Sequence, residues 1–187
     1  MNRKAVVVIA LAIEGVLFCL YLGWAWWRGA GTAQLFGGDW ALSALYGAIG
    51  GLLLLGVNLT LFEAVAPRYP RFDQCRRFKE EYIIPLARML RPIDALVVSA
   101  AAGIGEEFFF RGVLQVEIGV LLSSIIFAAV HFGPAIRQYS LVALIYFLVS
   151  LYFAAIYSVT QDLWAVALAH GLYDFLVILF IRRQERL

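Results

Sequence analysis

The stretch Gly103-Ile104-Gly105-Glu106-Glu107-Phe108-Phe109-Phe110-Arg111-Gly112 sets two adjacent carboxylates and an arginine in an otherwise apolar run. Its meaning depends on what surrounds it. Of the 187 residues, 63% are hydrophobic and the mean hydropathy is +0.84. A soluble domain is about 45–50% apolar, so the chain is expected to be an integral membrane protein. In that setting each ionisable residue in an apolar run costs at least roughly 2.5 kcal/mol near the bilayer centre. Such a residue is a functional candidate by default.

Working outward, six apolar runs approach the roughly 20 residues that a spanning helix needs. They cover residues 5–27, 40–62, 93–115, 118–132, 141–159 and 163–181, the fourth being short. The expected fold is all-α, a polytopic bundle of about six transmembrane helices with a four-helix core over 93–181, in a single membrane domain spanning 1–187. The first run is too long for the roughly 7–15 apolar residues of a signal peptide. It ends in Trp24, Trp26 and Trp27, which suit an interfacial aromatic belt. Gly31-Thr32-Ala33 makes a weak cleavage site, so an uncleaved helix is expected. Within 40–62, Gly47 and Gly51 have the spacing that lets helices approach closely.

Residues 67–92 are polar and basic, with Arg68, Arg71, Arg76, Arg77, Lys79, Arg88 and Arg91 among Phe72, Phe78, Tyr82, Ile83 and Leu86. Two readings stand side by side, an amphipathic helix on the membrane surface and a solvated basic loop. With six spans, these seven residues fall on one side together with Arg3, Lys4, Arg137, Arg182, Arg183 and Arg186, and only Arg28 falls on the other. The positive-inside rule then puts both termini in the cytoplasm. A net charge of +2 gives no sign of nucleic-acid binding. Cys19 and Cys75 have neither disulfide-framework nor metal-site spacing.

Three polar motifs carry the chemistry. Glu107 and Arg111 are four apart and share a helical face, whereas Glu106 projects about 100° away. Arg111 can thus neutralise Glu107 and leave Glu106 to act on water. Phe127 and His131 share a face near a helix end marked by Gly133-Pro134. His170 and Asp174 share a face of the last run, where a carboxylate can fix the tautomer of an imidazole. Drawn from three apolar runs, Glu106, His131, His170 and Asp174 should face inward and meet. A carboxylate with two imidazoles suits water activation and oxyanion stabilisation. Glu106, His131 and His170 also suit zinc or another divalent metal, although no His-Glu-x-x-His is present.

In this order, Glu-Glu-x-x-x-Arg, Phe-x-x-x-His and His-x-x-x-Asp resemble the motifs of the CAAX-processing and bacteriocin-processing intramembrane endopeptidases, the CPBP or Abi family. The resemblance covers about residues 93–181. It implies that Glu106 and His131 activate the attacking water, that His170 and Asp174 form the oxyanion side, and that Glu107, Arg111 and Phe127 support them. Family members often carry Asn where Asp174 stands. An amide can donate to an oxyanion and an ionised Asp cannot, so Asp174 is either protonated or orients His170. Either a glutamate-type or a metal-dependent mechanism fits. The compact form resembles prokaryotic inner-membrane members, including myxosortase-like enzymes that process C-terminal sorting tails. The implied substrate is a membrane-anchored or lipid-associated protein or peptide. Two other readings remain open, a non-catalytic immunity or scaffold protein that binds a peptide in the same cavity, and a small transporter or proton-coupled channel.

Overall fold

The computed structural model describes residues 2–29 and 39–184. Among these there is helix and no strand. The long helices are α1 (Arg3–Trp27), α2 (Trp40–Leu59), α5 (Pro92–Phe109), α6 (Gln115–Phe132), α7 (Ser140–Thr160) and α8 (Leu163–Gln184). Two short helices, α3 (Asp73–Phe78) and α4 (Ile84–Met89), lie in the basic segment. Helix is the economical choice here, because every backbone N–H and C=O in lipid must be satisfied within its own segment. The ends are set by side chains. Asn2 accepts from Ala5 N, Asp39 from Ala41 N and Leu42 N, and Asp162 from Trp164 N. Asp94 reaches back to Arg91 N, and Pro92 opens the helix that follows.

Five stretches are long and apolar enough to cross a membrane, one of them the 46 residues of Pro92–Arg137. The expected third and fourth spans are therefore fused by length. Gly119, at φ 83° and ψ 167°, divides them. An unbroken helix from Glu106 to His131 would separate the two by about 37 Å, whereas their side chains lie 3.5 Å apart. Ser123 Oγ donates to Phe110 O, and Phe127 stacks edge-on against Phe110. The chain reverses at Gly119, and α6 returns along α5.

The bundle has two polar ends. At one, Arg3 pairs with Asp94, Lys79 pairs with Glu63, and Gln184 donates to Glu63. Arg182 caps the carbonyls of Ala87 and Leu90. At the other, Arg28 and Trp24 meet Glu117, and Ser43 donates to Asp162. Residues 3 and 184 thus lie at the same end. Gly31-Thr32-Ala33 and Arg186 lie outside the described residues.

Helix α8 packs between α2 and α5, and α1 covers the far side of α5. Small residues make these contacts possible. A Cβ on Gly47 or Gly51 would come within 2.6 or 2.8 Å of α8 atoms. One on Gly103 would come within 2.3 Å of the Ala167 carbonyl oxygen. The Gly47–Gly51 pair therefore does what its spacing indicates. Gly103 brings α5 onto α8 at the level of the polar motifs. Residues 67–92 are helical in short pieces, with Cys75, Ala87 and Leu90 fully buried against the bundle.

Candidate active site

Arg111, Glu107, His170 and Asp174 form a chain of four side chains, the first three buried and Asp174 partly exposed. Arg111 Nε donates to Glu107 Oε2 at 2.9 Å, and both side chains have zero exposure. The other oxygen, Oε1, lies 2.7 Å from His170 Nδ1. His170 Nε2 lies 3.4 Å from Asp174 Oδ2. Arg111 also donates to Ser150 Oγ at 3.0 Å, and its guanidinium sits over the Phe127 ring. Arg111 falls in a π-helical turn, Phe110–Leu114, an irregularity frequent at functional sites. Phe153 stacks on the His170 ring at 4.8 Å between centroids.

Glu106 points elsewhere, as the 100° step requires, and faces His131. Glu106 Oε2 is buried without a hydrogen-bond partner, 3.5 Å from His131 Nε2. The tautomer of His131 follows from its other nitrogen. Nδ1 lies 2.8 Å from the Phe127 carbonyl oxygen, which can only accept. Nδ1 therefore carries a proton, and Nε2 is the nitrogen that faces Glu106. Phe127, four residues earlier on the same face, supplies that carbonyl and an aromatic face for the ring.

Glu106, His131, His170 and Asp174 line one cavity of about 270 Å³. Its polar wall also includes Tyr146, Tyr173 and Asn58. The rest is largely apolar and runs past Phe62, Phe78 and Ile181 toward the end that holds Lys79 and Glu63. Among the described residues, no three His, Cys, Asp or Glu side chains gather so as to hold a metal ion. Both nitrogens of His170 face carboxylates, those of Glu107 and Asp174.

Residues 89–176 match the family model for the type II CAAX prenyl endopeptidase Rce1-like proteins. Over that stretch, a little under half of the chain, the protein is similar to the Rce1-like family. No curated protein and no solved structure is matched by the chain. The Rce1-like stretch holds all three motifs. It leaves out α1 and α2, yet both reach the site.

Sequence reasoning missed these outer contributions. Glu14 of α1 lies against Gly105, where an added Cβ would come within 2.6 Å of its carbonyl and carboxylate oxygens. Its Oε2 is buried without a partner, and it lies within electrostatic range of Glu106, His131, His170 and Asp174. The signal was present in the sequence, as one acid in an apolar span. Asn58 of α2 donates to the Tyr173 hydroxyl at 2.8 Å.

Proposed function

We propose that the protein is an intramembrane endopeptidase that hydrolyses a peptide bond in the C-terminal tail, or beside the membrane segment, of a membrane-anchored protein. One observation carries the mechanism: Glu106 Oε2, buried without a hydrogen-bond partner, faces His131 Nε2 at 3.5 Å on a cavity wall. A water molecule bound beside this pair donates a hydrogen to the Glu106 carboxylate. Its remaining lone pairs then point to the cavity, where a scissile carbonyl can lie. Glu106 takes the proton as the water oxygen bonds to the carbonyl carbon, and delivers it to the departing amine. Proton transfer of this kind contributes about 10²–10⁴-fold.

The chain of Arg111, Glu107, His170 and Asp174 supports the opposite side. Doubly protonated, His170 donates to both carboxylates and presents positive charge to the developing oxyanion. In this arrangement Asp174 orients His170 and gives no hydrogen bond of its own. The apolar floor of the cavity suits a lipidated or apolar tail. The substrate enters extended, because a helical carbonyl is already bonded within its helix. The basic residues at the end shared by residues 3 and 184 support a cytoplasmic placement for both termini.

The test compares protein C-termini, by mass spectrometry, in membranes and secreted fractions. The strains are a deletion, the deletion restored with wild type, and the deletion restored with Glu106→Gln. Shortened C-termini that return only with wild type support the reading and identify the substrate. Identical termini with both forms, at equal expression, replace it with a peptide-binding or immunity role.

A further inference from the structure

The Arg111-to-Asp174 chain leaves a donor to be found. Water addition moves the carbonyl π electrons onto oxygen, and hydrogen-bond donors aimed at that oxygen supply much of the rate enhancement. An ionised Asp174 has none to give. Most other donors on the cavity wall are engaged. Lys79 pairs with Glu63, Asn58 donates to Tyr173, and His131 Nδ1 donates to the Phe127 carbonyl. Both nitrogens of His170 face carboxylates.

Two phenolic protons remain, on Tyr146 and Tyr173. The Tyr146 hydroxyl makes no hydrogen bond among the described residues, and the residue lines the cavity. It lies within electrostatic range of both Glu106 and Asp174, whereas Tyr173 faces Asp174 and Tyr146. Tyr146 also occupies the right face of α7. Ser150 and Phe153, four and seven residues on, share that face. Ser150 receives Arg111, and Phe153 covers His170. The Tyr146 ring is fixed between His131, at 5.2 Å, and Phe132, at 5.0 Å between centroids. Its position is thereby set before substrate arrives.

Resting on the endopeptidase reading, we propose that Tyr146 is a further catalytic residue that donates its phenolic O–H to the carbonyl oxygen as that oxygen becomes an oxyanion. The water oxygen bonds to carbon, its proton passes to Glu106, and the oxyanion forms against Tyr146. Collapse restores the carbonyl, breaks the C–N bond, and sends the proton from Glu106 to the amine nitrogen.

The test uses reconstituted full-length protein and a lipidated peptide copying the tail that wild type shortens in cells. Tyr146→Phe keeps the packed ring and removes only the hydroxyl. The expected result is a kcat lower by about 10²–10³-fold with KM within roughly threefold. A peptide phosphonate that mimics the tetrahedral state should bind Tyr146→Phe correspondingly more weakly, and an uncleavable peptide equally well. Wild-type kcat in Tyr146→Phe, with Glu106→Gln silent, overturns this inference alone. An equal loss of affinity for both ligands also overturns it, because it reduces Tyr146 to a packing residue. Cleavage by Glu106→Gln at the wild-type rate, or none by wild type, overturns the endopeptidase reading and the inference with it.

Discussion

Glu107 Oε1 and His170 Nδ1 lie 2.7 Å apart, though 63 residues separate them along the chain. This contact joins the acidic motif of α5 to the His-x-x-x-Asp motif of α8. It turns a local ion pair into a chain of four ionisable groups. Glu107 is thus shared between Arg111 and His170, and its burial is tolerable only with both partners present.

Removing one partner from that chain should be costly. Arg111→Met leaves Glu107 buried without its cation, a loss of about 3–5 kcal/mol by analogy with broken buried pairs. Thermal unfolding in detergent measures it. The double variant Glu107→Gln with Arg111→Met should recover part of the loss, because no buried charge is then left unpaired. A single variant as stable as wild type would mean that solvent reaches the pair.

Helix approach at Gly103 should matter more than glycine content. Gly103→Ala sets a Cβ against the Ala167 carbonyl oxygen and the Gly171 backbone. Overpacking of this kind costs about 1–3 kcal/mol, and it would also pull Glu107 away from His170. Gly56→Ala, where nothing lies within 4 Å, should be neutral in the same unfolding assay.

Tyr139 sits between α6 and α7 and donates its hydroxyl to Glu81 at 2.5 Å. The bond to that carboxylate pushes the phenol from its ordinary value of 10.0 up to about 12. A raised value means that the bond stabilises the fold fully below pH 10.0 and is lost as pH rises toward about 12. Stability of wild type should therefore fall in that alkaline window. Tyr139→Phe should start lower and change less across it.

Thiol chemistry should separate the two cysteines. Cys75 is fully buried, and burial pushes its thiol up. Cys19 is exposed on the outside of α1. A membrane-permeant maleimide should label Cys19 in the folded protein and reach Cys75 only after unfolding. Prompt labelling of Cys75 in the folded state would contradict the packing of residues 67–92 on the bundle.

The polar motifs were legible because each is local. Glu107 with Arg111, and His170 with Asp174, are pairs that helix geometry alone brings together. Apolar run lengths located the helices, whereas the reversal at Gly119 shows only in the backbone. What stayed hidden depends on helix-to-helix register. The Glu107–His170 bond requires the Gly103 approach, and a single-helix view leaves His170 with Asp174 alone. Glu14 was passed over inside a run read only as an anchor. Tyr146 belongs to no acid–base motif, and its place appears only once α7 lies beside His131.

The central claim is that Glu106 acts on water. Its most direct measurement is the hydrolysis rate of the identified tail peptide by reconstituted Glu106→Gln, checked for a wild-type unfolding profile. The account predicts a kcat lower by about 10²–10⁴-fold, with peptide affinity close to wild type. A Glu106→Gln protein that cleaves within threefold of wild type would contradict it.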